Sequence, residues 1–515
     1  MSHLVGNISL VSGLTIVSRF LGLARDVLFF TCFGVSAIGD AFILAFTIPN
    51  LFRRMLGEGT LTSAYIPVYS EIEKNQSLEM AHRVLNQVIS RLFVFLLALS
   101  LSVCLVSWMA SDNQWISSQK WINGLYLNSI IFPYVFFICI SAIVVGTLNT
   151  HRKFFAGAFS PIILNLSMIG VLVFLYFGLS WRGMDLVTGL CFAVLLGGVL
   201  QTIIPWIQLR RNFSWRWKFD LASSEGLEKI KTLFFVGAFG AAVSQINVMV
   251  SRFLAYSLDS DGALSYLFLS ARLIELPLGV FAISISTVFF PELSRAFISG
   301  EGERYDNCFA RGFRLTLGII LPAAIGLALL SDTILSVLFQ WGEFGGGEVN
   351  IASSVLIISC FALPFYAIAA YFVKAFHSQK DMNSPLKAAV LSFLINLVLS
   401  IILMQEYGML GLAWANVGAA FFQTIFLAAK FKGFDMKFIF RPDSLYVFSI
   451  SIASLVMFGL LWFFKDQQYF AENKLHSVLE LLTYIPLGVL IYALSLALLG
   501  FPELKYFRQK MGLPN

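Results

Sequence analysis

The chain has 515 residues, of which 58% are hydrophobic and only 12% are charged, and its mean hydropathy is +0.81. Soluble domains carry about 25% charged residues, so this composition indicates an integral membrane protein. Because the 52 phenylalanines are spread through long apolar runs along the whole chain, a soluble enzyme with a single membrane anchor is excluded.

The apolar runs predict an all-α polytopic protein. About 20 mainly apolar residues are needed to cross the hydrocarbon core. Two polar or short stretches, 61–74 and 331–345, do not meet this rule and are expected to lie in the interface or to re-enter the membrane. On the same rule we expect about fourteen transmembrane helices, near residues 8–30, 37–54, 84–109, 125–149, 159–178, 184–208, 230–256, 264–290, 306–330, 349–376, 385–404, 409–429, 444–464 and 477–499.

The positive charges favour one orientation of these spans. Short loops rich in Lys and Arg remain in the cytoplasm. With the N-terminus inside, only four of the 35 Lys and Arg fall in outer loops, namely Lys120, Arg182, Lys465 and Lys474. One missing or extra span would exchange the sides of all later loops and destroy this asymmetry. We therefore predict that both termini are cytoplasmic and that the net charge of +6 reflects topology, with no binding of nucleic acid.

Cofactor and metal motifs are absent from the sequence. The six cysteines never occur as Cys-x-x-Cys, and the five histidines form no pair at helical spacing, so we expect neither a disulfide framework nor a metal site. No P-loop motif occurs either, which argues against ATP hydrolysis by this chain. We expect no cofactor, and coupling to the membrane potential or to a gradient of Na⁺ or H⁺ is left as the energy source.

Two halves of the sequence repeat. S-R-F-L-G at Ser18 matches S-R-F-L-A at Ser251, and Y-I-P-V-Y-S at Tyr65 matches F-F-P-E-L-S at Phe289. Six predicted spans separate the copies, so both halves cross the membrane in the same direction. Parallel repeats are typical of transporters whose substrate site lies between the halves. The division predicts an N-lobe over 1–220, a C-lobe over 221–435, and two C-terminal helices with a cytoplasmic tail over 436–515.

Charged residues inside the predicted spans suggest an anionic cargo. A charge at the helix centre costs at least about 2.5–3.5 kcal/mol, and the candidate counterions Asp26, Asp40 and Glu275 are fewer than the cations. Guanidinium groups offer a planar fork of donors that suits phosphate or carboxylate. Arg91 and Arg252 lie near helix ends and can reach the interface. The five arginines within predicted spans are Arg19, Arg25, Arg91, Arg252 and Arg272.

Several motifs resemble the MurJ (MviN) family of lipid II flippases across essentially the whole chain. They are S-R-F-L-G-L-A-R-D from Ser18, G-D-A-F from Gly39, P-N-L-F-R-R from Pro49, A-Y-I-P from Ala64 and A-R-L-I-E-L-P-L-G-V from Ala271. The resemblance implies the multidrug/oligosaccharidyl-lipid/polysaccharide exporter fold, with two six-helix lobes around a cavity and two extra C-terminal helices. It implies a transporter, not an enzyme, which flips undecaprenyl-pyrophosphate-linked peptidoglycan precursor to the outer leaflet of the bacterial inner membrane by alternating access.

The resemblance also implies partners and site residues. The implied partners are lipid II and membrane lipids, with the cell-wall synthesis machinery as a further candidate. Many family members have Asp before the arginine that is Arg272 here, whereas this chain has Ala271, which places more weight on Glu275. The expected substrate-binding residues, including Ser18 and Arg252 from the repeated motif, are Ser18, Arg19, Arg25, Asp40, Asn50, Arg53, Arg252, Arg272 and Glu275.

Three alternative functions share part of this pattern. A flippase for another polyprenyl-linked glycan has closely similar chemistry. A multidrug exporter of the same superfamily should have mainly acidic residues in its cavity, which the excess of arginines argues against. A membrane glycosyltransferase needs paired carboxylates or a D-x-D motif on a loop. The nearest match is Asp259 and Asp261, where the following Gly262 indicates a turn.

Overall fold

Helices form nearly all of the structure, a computed structural model that describes residues 2–57, 60–112, 116–431, 445–466 and 474–501. Within these ranges no β-strand occurs, so the prediction of an all-α protein is confirmed. Three π-helical segments, Arg53–Gly57, Val173–Gly178 and Leu278–Ala282, directly follow α2, α7 and α10. The α-helices are α1 (Ser2–Phe33), α2 (Ala37–Phe52), α3 (Thr60–Asn75), α4 (Leu78–Asp112), α5 (Gln119–Ile131), α6 (Tyr134–Thr150), α7 (Phe155–Leu172), α8 (Gly183–Phe213), α9 (Glu225–Ser257), α10 (Ala263–Pro277), α11 (Ile283–Ile298), α12 (Gly302–Leu329), α13 (Ser331–Phe339), α14 (Gly346–Ser378), α15 (Asn383–Lys430), α16 (Leu445–Asp466) and α17 (Lys474–Leu498).

Each predicted span coincides with a helix. In the described part of the chain, nine helices are long and apolar enough to cross a membrane, and the pair α5 and α6, bent by 40°, would make a tenth. The remaining predicted spans lie on α1, α2 and α9, while α15 carries two of them on either side of Gly408. Gly408 has φ 55° and ψ −129°, a conformation that favours glycine and breaks the helix there. The total of fourteen crossings stays a prediction.

The sequence repeat has counterparts in the helices. The π-helical segments Arg53–Gly57 and Leu278–Ala282 both follow the second helix of a copy, and 225 residues separate their starts. The proline motifs at Tyr65 and Phe289 lie in α3 and α11, the helices that come after those segments. Corresponding sequence motifs therefore occupy corresponding elements, as a duplicated architecture requires.

The chain divides into two compact units. The first contains residues 1–265 together with 341–344, and the second contains 266–340 and 345–515. α9 packs within the first unit, where it contacts α2, α3 and α4. The lobe limits at residues 220 and 435, which follow the repeat, stay predictions.

Helix α3 covers the stretch 61–74, which was expected to lie in the interface or to re-enter the membrane. It is amphipathic, and the buried side packs against α4, α6 and α9. The second such stretch, 331–345, contains α13, which packs against α14 and α17 in the second unit. Burial of apolar side chains at helical spacing explains why α3 forms a helix despite its polar composition. The buried residues of α3 are Leu61, Ala64, Tyr65, Val68, Tyr69 and Ile72.

The linker from α8 to α9 is bound along a polar stripe of α4. The Trp215 indole donates to Asn86 Oδ1 at 3.0 Å, and the Arg91 guanidinium donates to the carbonyl oxygens of Leu221 and Ala222 at 2.7 and 3.1 Å. Arg91, which was expected to reach the membrane interface, thus binds the linker between α8 and α9. Its partners are the two linker carbonyls and, at 3.4 Å, the Gln87 carbonyl of α4.

Asp220 adds a second set of contacts between this linker and α4. Its carboxylate accepts from Gln87 at 3.2 Å and from Arg83 at 3.5 Å, and its other oxygen accepts from the Ala222 amide at 2.8 Å. These donors, the Ala222 amide most of all, hold the pKa of Asp220 below its usual value. The carboxylate therefore stays ionised and bonded to α4 at neutral pH.

The four cations assigned to outer loops bond carbonyl oxygens near helix carboxyl ends. Such ends carry unpaired carbonyls and a partial negative charge. Each of the four outer-loop cations therefore binds the carboxyl end of a nearby helix. The pairs are Lys120 with Leu258 at 3.0 Å, Arg182 with Tyr176 at 3.0 Å, Lys465 with Leu329 at 2.9 Å, and Lys474 with Gln340.

Candidate functional site

Arg25 lies in a buried polar cluster where α1 packs against α7. Its Nε and Nη2 donate to Oδ1 of Asp26 at 3.0 and 2.6 Å. Its Nη1 donates to Oδ1 of Asn165 in α7 at 3.1 Å. Arg25 and Asp26 are only 7% and 8% exposed. A buried charge requires partners of this kind, and the cluster supplies one acid and one neutral amide.

Ser18 and Arg19 lie about two turns before this cluster on α1. The Ser18 carbonyl accepts a hydrogen bond from Nδ2 of Asn165 at 3.2 Å. Arg19 is exposed and has neither an ion pair nor a hydrogen bond within the described residues. Six residues on a 3.6-residue period place Arg19 and Arg25 about 120° apart around α1. Ser18 therefore joins the cluster through its backbone, and Arg19 lies on another face.

A second group of predicted residues lies along α2. Nε of Arg53 donates to Oδ1 of Asn50 at 3.1 Å, and Nδ2 of Asn50 donates to the carbonyl of Phe46 at 2.9 Å. One turn earlier, Nη1 of Arg252 in α9 donates to the hydroxyl of Thr47. The α2 surface thus engages two arginines through neutral side chains, one of which, Thr47, was not predicted.

Asp40 lies at the amino end of α2 with a completely buried side chain. Oδ1 accepts from the amide and the hydroxyl of Ser265, at 2.7 and 2.6 Å. Oδ2 lies 3.8 Å from Nζ of Lys120 in α5. The Lys120 carbonyl in turn accepts from the Tyr256 hydroxyl. Asp40 therefore links α2 to α5 and to the start of α10, and its charge partner is Lys120, which was assigned to an outer loop.

Arg272 and Glu275 belong to the second unit. Nη1 of Arg272 lies 3.3 Å from Oε2 of Glu275, and the side chains are 39% and 53% exposed. The guanidinium also lies 5.5 Å from the centre of the Phe268 ring. The i,i+3 spacing on α10 produces this pair, as expected from the sequence. Both groups remain accessible to solvent or to a ligand.

Eight of the nine predicted site residues thus fall into four local groups within the described chain, and Arg19 belongs to none of them. Ser18 and Arg25 share Asn165, Asn50 and Arg53 bond each other beside the contact of Arg252 with Thr47, Asp40 bonds Ser265 and Lys120, and Arg272 bonds Glu275. The sequence did not predict four residues that contact this set, namely Thr47, Lys120, Asn165 and Ser265. Each is an ordinary polar residue whose partner is distant in sequence, such as Asn165, 140 residues from Arg25. Only the polarity of Asn165 within an apolar span offered a signal.

No group of three or more His, Cys, Asp or Glu side chains in the described ranges could hold a metal ion. All six cysteines are free thiols, and most are buried.

The chain matches the family model described as lipid II flippase MurJ over residues 29–480. It is also 31% identical over 514 residues to the probable lipid II flippase MurJ of Vibrio cholerae serotype O1, with 95% of each chain covered. The chain belongs to the MurJ family of lipid II flippases. The family resemblance read from the motifs is therefore confirmed, and with it the multi-pass membrane architecture.

Solved structures agree with this assignment. A solved structure of a lipid II flippase MurJ in an inward closed conformation matches with a TM-score of 0.79 and 28% identity, covering 98% of this chain and 99% of the other. An inward-facing multidrug resistance transporter of the MATE family matches with a TM-score of 0.65 and 12% identity, over 86% and 98% of the two chains. At that identity the second match shows the fold alone. The exporter fold is thus shared beyond the MurJ family.

Proposed function

We propose that this protein flips lipid II, carrying the undecaprenyl-pyrophosphate-linked disaccharide pentapeptide from the cytoplasmic to the periplasmic leaflet by alternating access. Membership of the MurJ family supports the proposal. The observation on this chain that carries it is the buried guanidinium of Arg25, whose contacts with the described residues leave two N–H groups unused. A buried guanidinium is a strong donor for phosphate oxygens.

The chemistry of the cargo explains why cationic side chains are needed within spans. Each unpaired polar group costs several kcal/mol in hydrocarbon, so a sugar, peptide and pyrophosphate headgroup does not cross unaided. Arginines that bind the pyrophosphate and polar groups that contact the sugars lower this cost, while the polyprenyl chain remains in lipid. No covalent bond is made or broken in this transfer, so the protein acts as a transporter and not as an enzyme.

The remaining assignments follow from the same proposal. Arg19 in the first unit and Arg272 in the second are further candidates for binding pyrophosphate. The charge asymmetry of the loops supports an inner-membrane orientation with both termini cytoplasmic. The transfer needs no cofactor, and its direction is set by the membrane potential or by a gradient of Na⁺ or H⁺. The cell-wall synthesis machinery, which makes lipid II inside and consumes it outside, is the proposed protein partner.

Complementation tests the proposal. A bacterium depleted of its own lipid II flippase receives either the wild-type gene or Arg25→Ala, and the lipid II accessible from outside is measured together with growth. We expect the wild type to restore both, whereas Arg25→Ala reaches the membrane and restores neither. The matched control is Arg304→Ala, which removes an arginine from an exposed i,i+3 pair with Glu301 and should retain function. Full activity of Arg25→Ala, or increased drug resistance without restored growth, contradicts the proposal.

A further inference from the structure

Asn165 connects two points of α1 from the neighbouring helix α7. It is 6% exposed, and both ends of its amide are used. Oδ1 accepts from Nη1 of Arg25 at 3.1 Å, and Nδ2 donates to the carbonyl of Ser18 at 3.2 Å. The two contacts lie seven residues apart on α1, so one side chain spans about two turns of that helix. The Ser18 contact fixes which way the amide points, and therefore which atom faces Arg25.

The Arg25 guanidinium has five N–H groups, and three of them are engaged by residues in the described part of the chain. Asp26 accepts from Nε and Nη2, and Asn165 accepts from Nη1. One N–H therefore remains on each terminal nitrogen, which is the number needed to bind two oxygens of a phosphate. Asp26 is adjacent to Arg25 on the same helix, and adjacent residues point about 100° apart. Within the described chain, Asn165 is the only partner of this guanidinium on another helix.

The chemical type of Asn165 is suited to a site that must still attract an anion. Asp26 already balances the charge of Arg25 at 2.6 Å. A second carboxylate at position 165 would make the cluster net negative and repel phosphate. An amide provides the same acceptor geometry with no charge. It fixes the guanidinium without further reducing its attraction for an anion.

We propose that Asn165 is a positioning residue for pyrophosphate binding: it holds the Arg25 guanidinium so that the two unused N–H groups form a preorganised donor pair. This inference rests on the proposed function, in which Arg25 binds the pyrophosphate. Preorganisation raises affinity because less conformational freedom is lost when the ligand binds. Asn165 itself need not touch the ligand.

The test measures lipid II binding by the purified full-length protein. Without Asn165 the Arg25 side chain must be immobilised when the ligand binds, so we expect Asn165→Ala to lower the affinity for lipid II by up to about tenfold. Asn165→Asp keeps the acceptor for Arg25 but adds a charge, so it should bind lipid II more weakly than Asn165→Ala. If the role of Asn165 is only structural, Asn165→Asp should bind lipid II more tightly than Asn165→Ala, because the carboxylate strengthens the hydrogen bond to Arg25 and preserves the packing.

The pH dependence of Asn165→Asp gives a second readout. A protonated carboxyl group is neutral, can accept from Arg25, and can donate to the Ser18 carbonyl as the amide does. Its affinity relative to wild type should therefore rise as the pH is lowered. The same ratio for Asn165→Ala should stay constant. Because Asp closely matches Asn in size, this variant carries the test even if Asn165→Ala fails to fold.

Two controls separate the possible outcomes. Asn212→Ala removes an exposed asparagine of α8 that bonds the Gln208 carbonyl, and it should bind lipid II as the wild type does. If Arg25→Ala binds lipid II normally, the proposed function of Arg25 is wrong. If Arg25→Ala weakens binding while Asn165→Ala does not, or if Asn165→Asp binds as well as wild type at every pH, the positioning role is wrong and the proposed function stands.

Discussion

At the scale of single residues, two of the arginines expected to bind substrate are paired with acids on their own helices. Arg25 bonds Asp26, and Arg272 bonds Glu275. The two pairs differ in burial, because the Arg25 side chain is 9% exposed and the Arg272 side chain 39%. Removing one partner of a buried pair strongly lowers the stability of the protein, whereas an exposed i,i+3 pair contributes only about 0.3–0.5 kcal/mol to that stability. Stability and binding should therefore be affected differently at the two positions.

Substitutions at Arg272 distinguish ligand binding from pairing with Glu275. Arg272→Ala should change the free energy of unfolding by under about 1 kcal/mol, since its ion pair is exposed. If Arg272 binds pyrophosphate, Arg272→Lys should lose much of the activity that Arg272→Ala loses, because a compact ammonium group replaces the bidentate guanidinium. Lipid II binding and complementation are the measurements.

The double variant Arg272→Ala with Glu275→Gln provides the control. If Arg272 only neutralises Glu275, Arg272→Lys should be nearly silent and the double variant should recover the activity lost in Arg272→Ala. We expect Arg272→Lys to lose activity and the double variant not to recover the activity lost in Arg272→Ala. The opposite pair of results removes Arg272 from the binding site.

Local contacts could be predicted from the sequence, and distant ones could not. The spacing of Arg272 and Glu275 gave their pairing directly. Asp40 was assigned to the substrate site by resemblance, yet its structural partner Ser265 is 225 residues away. Asn165 likewise carries no motif. Its importance depends on the packing of α7 against α1, and the hydropathy of the two spans does not predict that contact.

At the scale of elements, the apolar runs correctly located the helices, but their breaks depend on local backbone detail. The span near 125–149 is divided into α5 and α6, with Pro133 immediately before the first residue of the second helix. The stretch 61–74 was too polar for a span and forms α3, whose apolar face is buried in the first unit. Average hydropathy cannot distinguish such a packed amphipathic helix from an interfacial segment, since the two have the same composition.

The linker on α4 leads to a prediction about Arg91. Arg91→Ala removes the donors to the carbonyls of Leu221 and Ala222, so the linker should open more often and be cleaved faster by protease. Lipid II binding should change little, since Arg91 contacts the linker and the Gln87 carbonyl of its own helix. Limited proteolysis and binding assays are the measurements.

Arg83→Ala is the matched control on the same helix. Arg83 is 58% exposed, and its acid partner within the described residues, Asp220, lies at 3.5 Å, so loss of Arg83 should alter cleavage much less. Equal cleavage rates for Arg91→Ala and wild type would show that the linker does not depend on this arginine. Loss of lipid II binding in Arg91→Ala alone would instead place Arg91 in the substrate site.

At the scale of the whole molecule, the orientation of the chain can be tested by labelling. Cysteines introduced in an otherwise cysteine-free protein at Ser111 and Glu472 should react with an impermeant thiol reagent from outside, because the charge asymmetry places these loops outside. Cysteines at Ser223 and Gln509 should react only after the membrane is opened. Glu472 and Gln509 lie outside the described residues. Reversed labelling of the two sets would show that the orientation is wrong.

Transport of lipid II across a bilayer by the purified protein tests the central claim most directly. Labelled lipid II is placed in one leaflet of vesicles containing the wild-type chain, and its appearance in the other leaflet is followed with a membrane potential or an ion gradient applied. The account predicts transfer well above protein-free vesicles, loss of that transfer in Arg25→Ala, and normal transfer in Arg304→Ala. Wild-type vesicles that move no more lipid II than protein-free ones under every gradient, or Arg25→Ala vesicles as active as wild type, would contradict it.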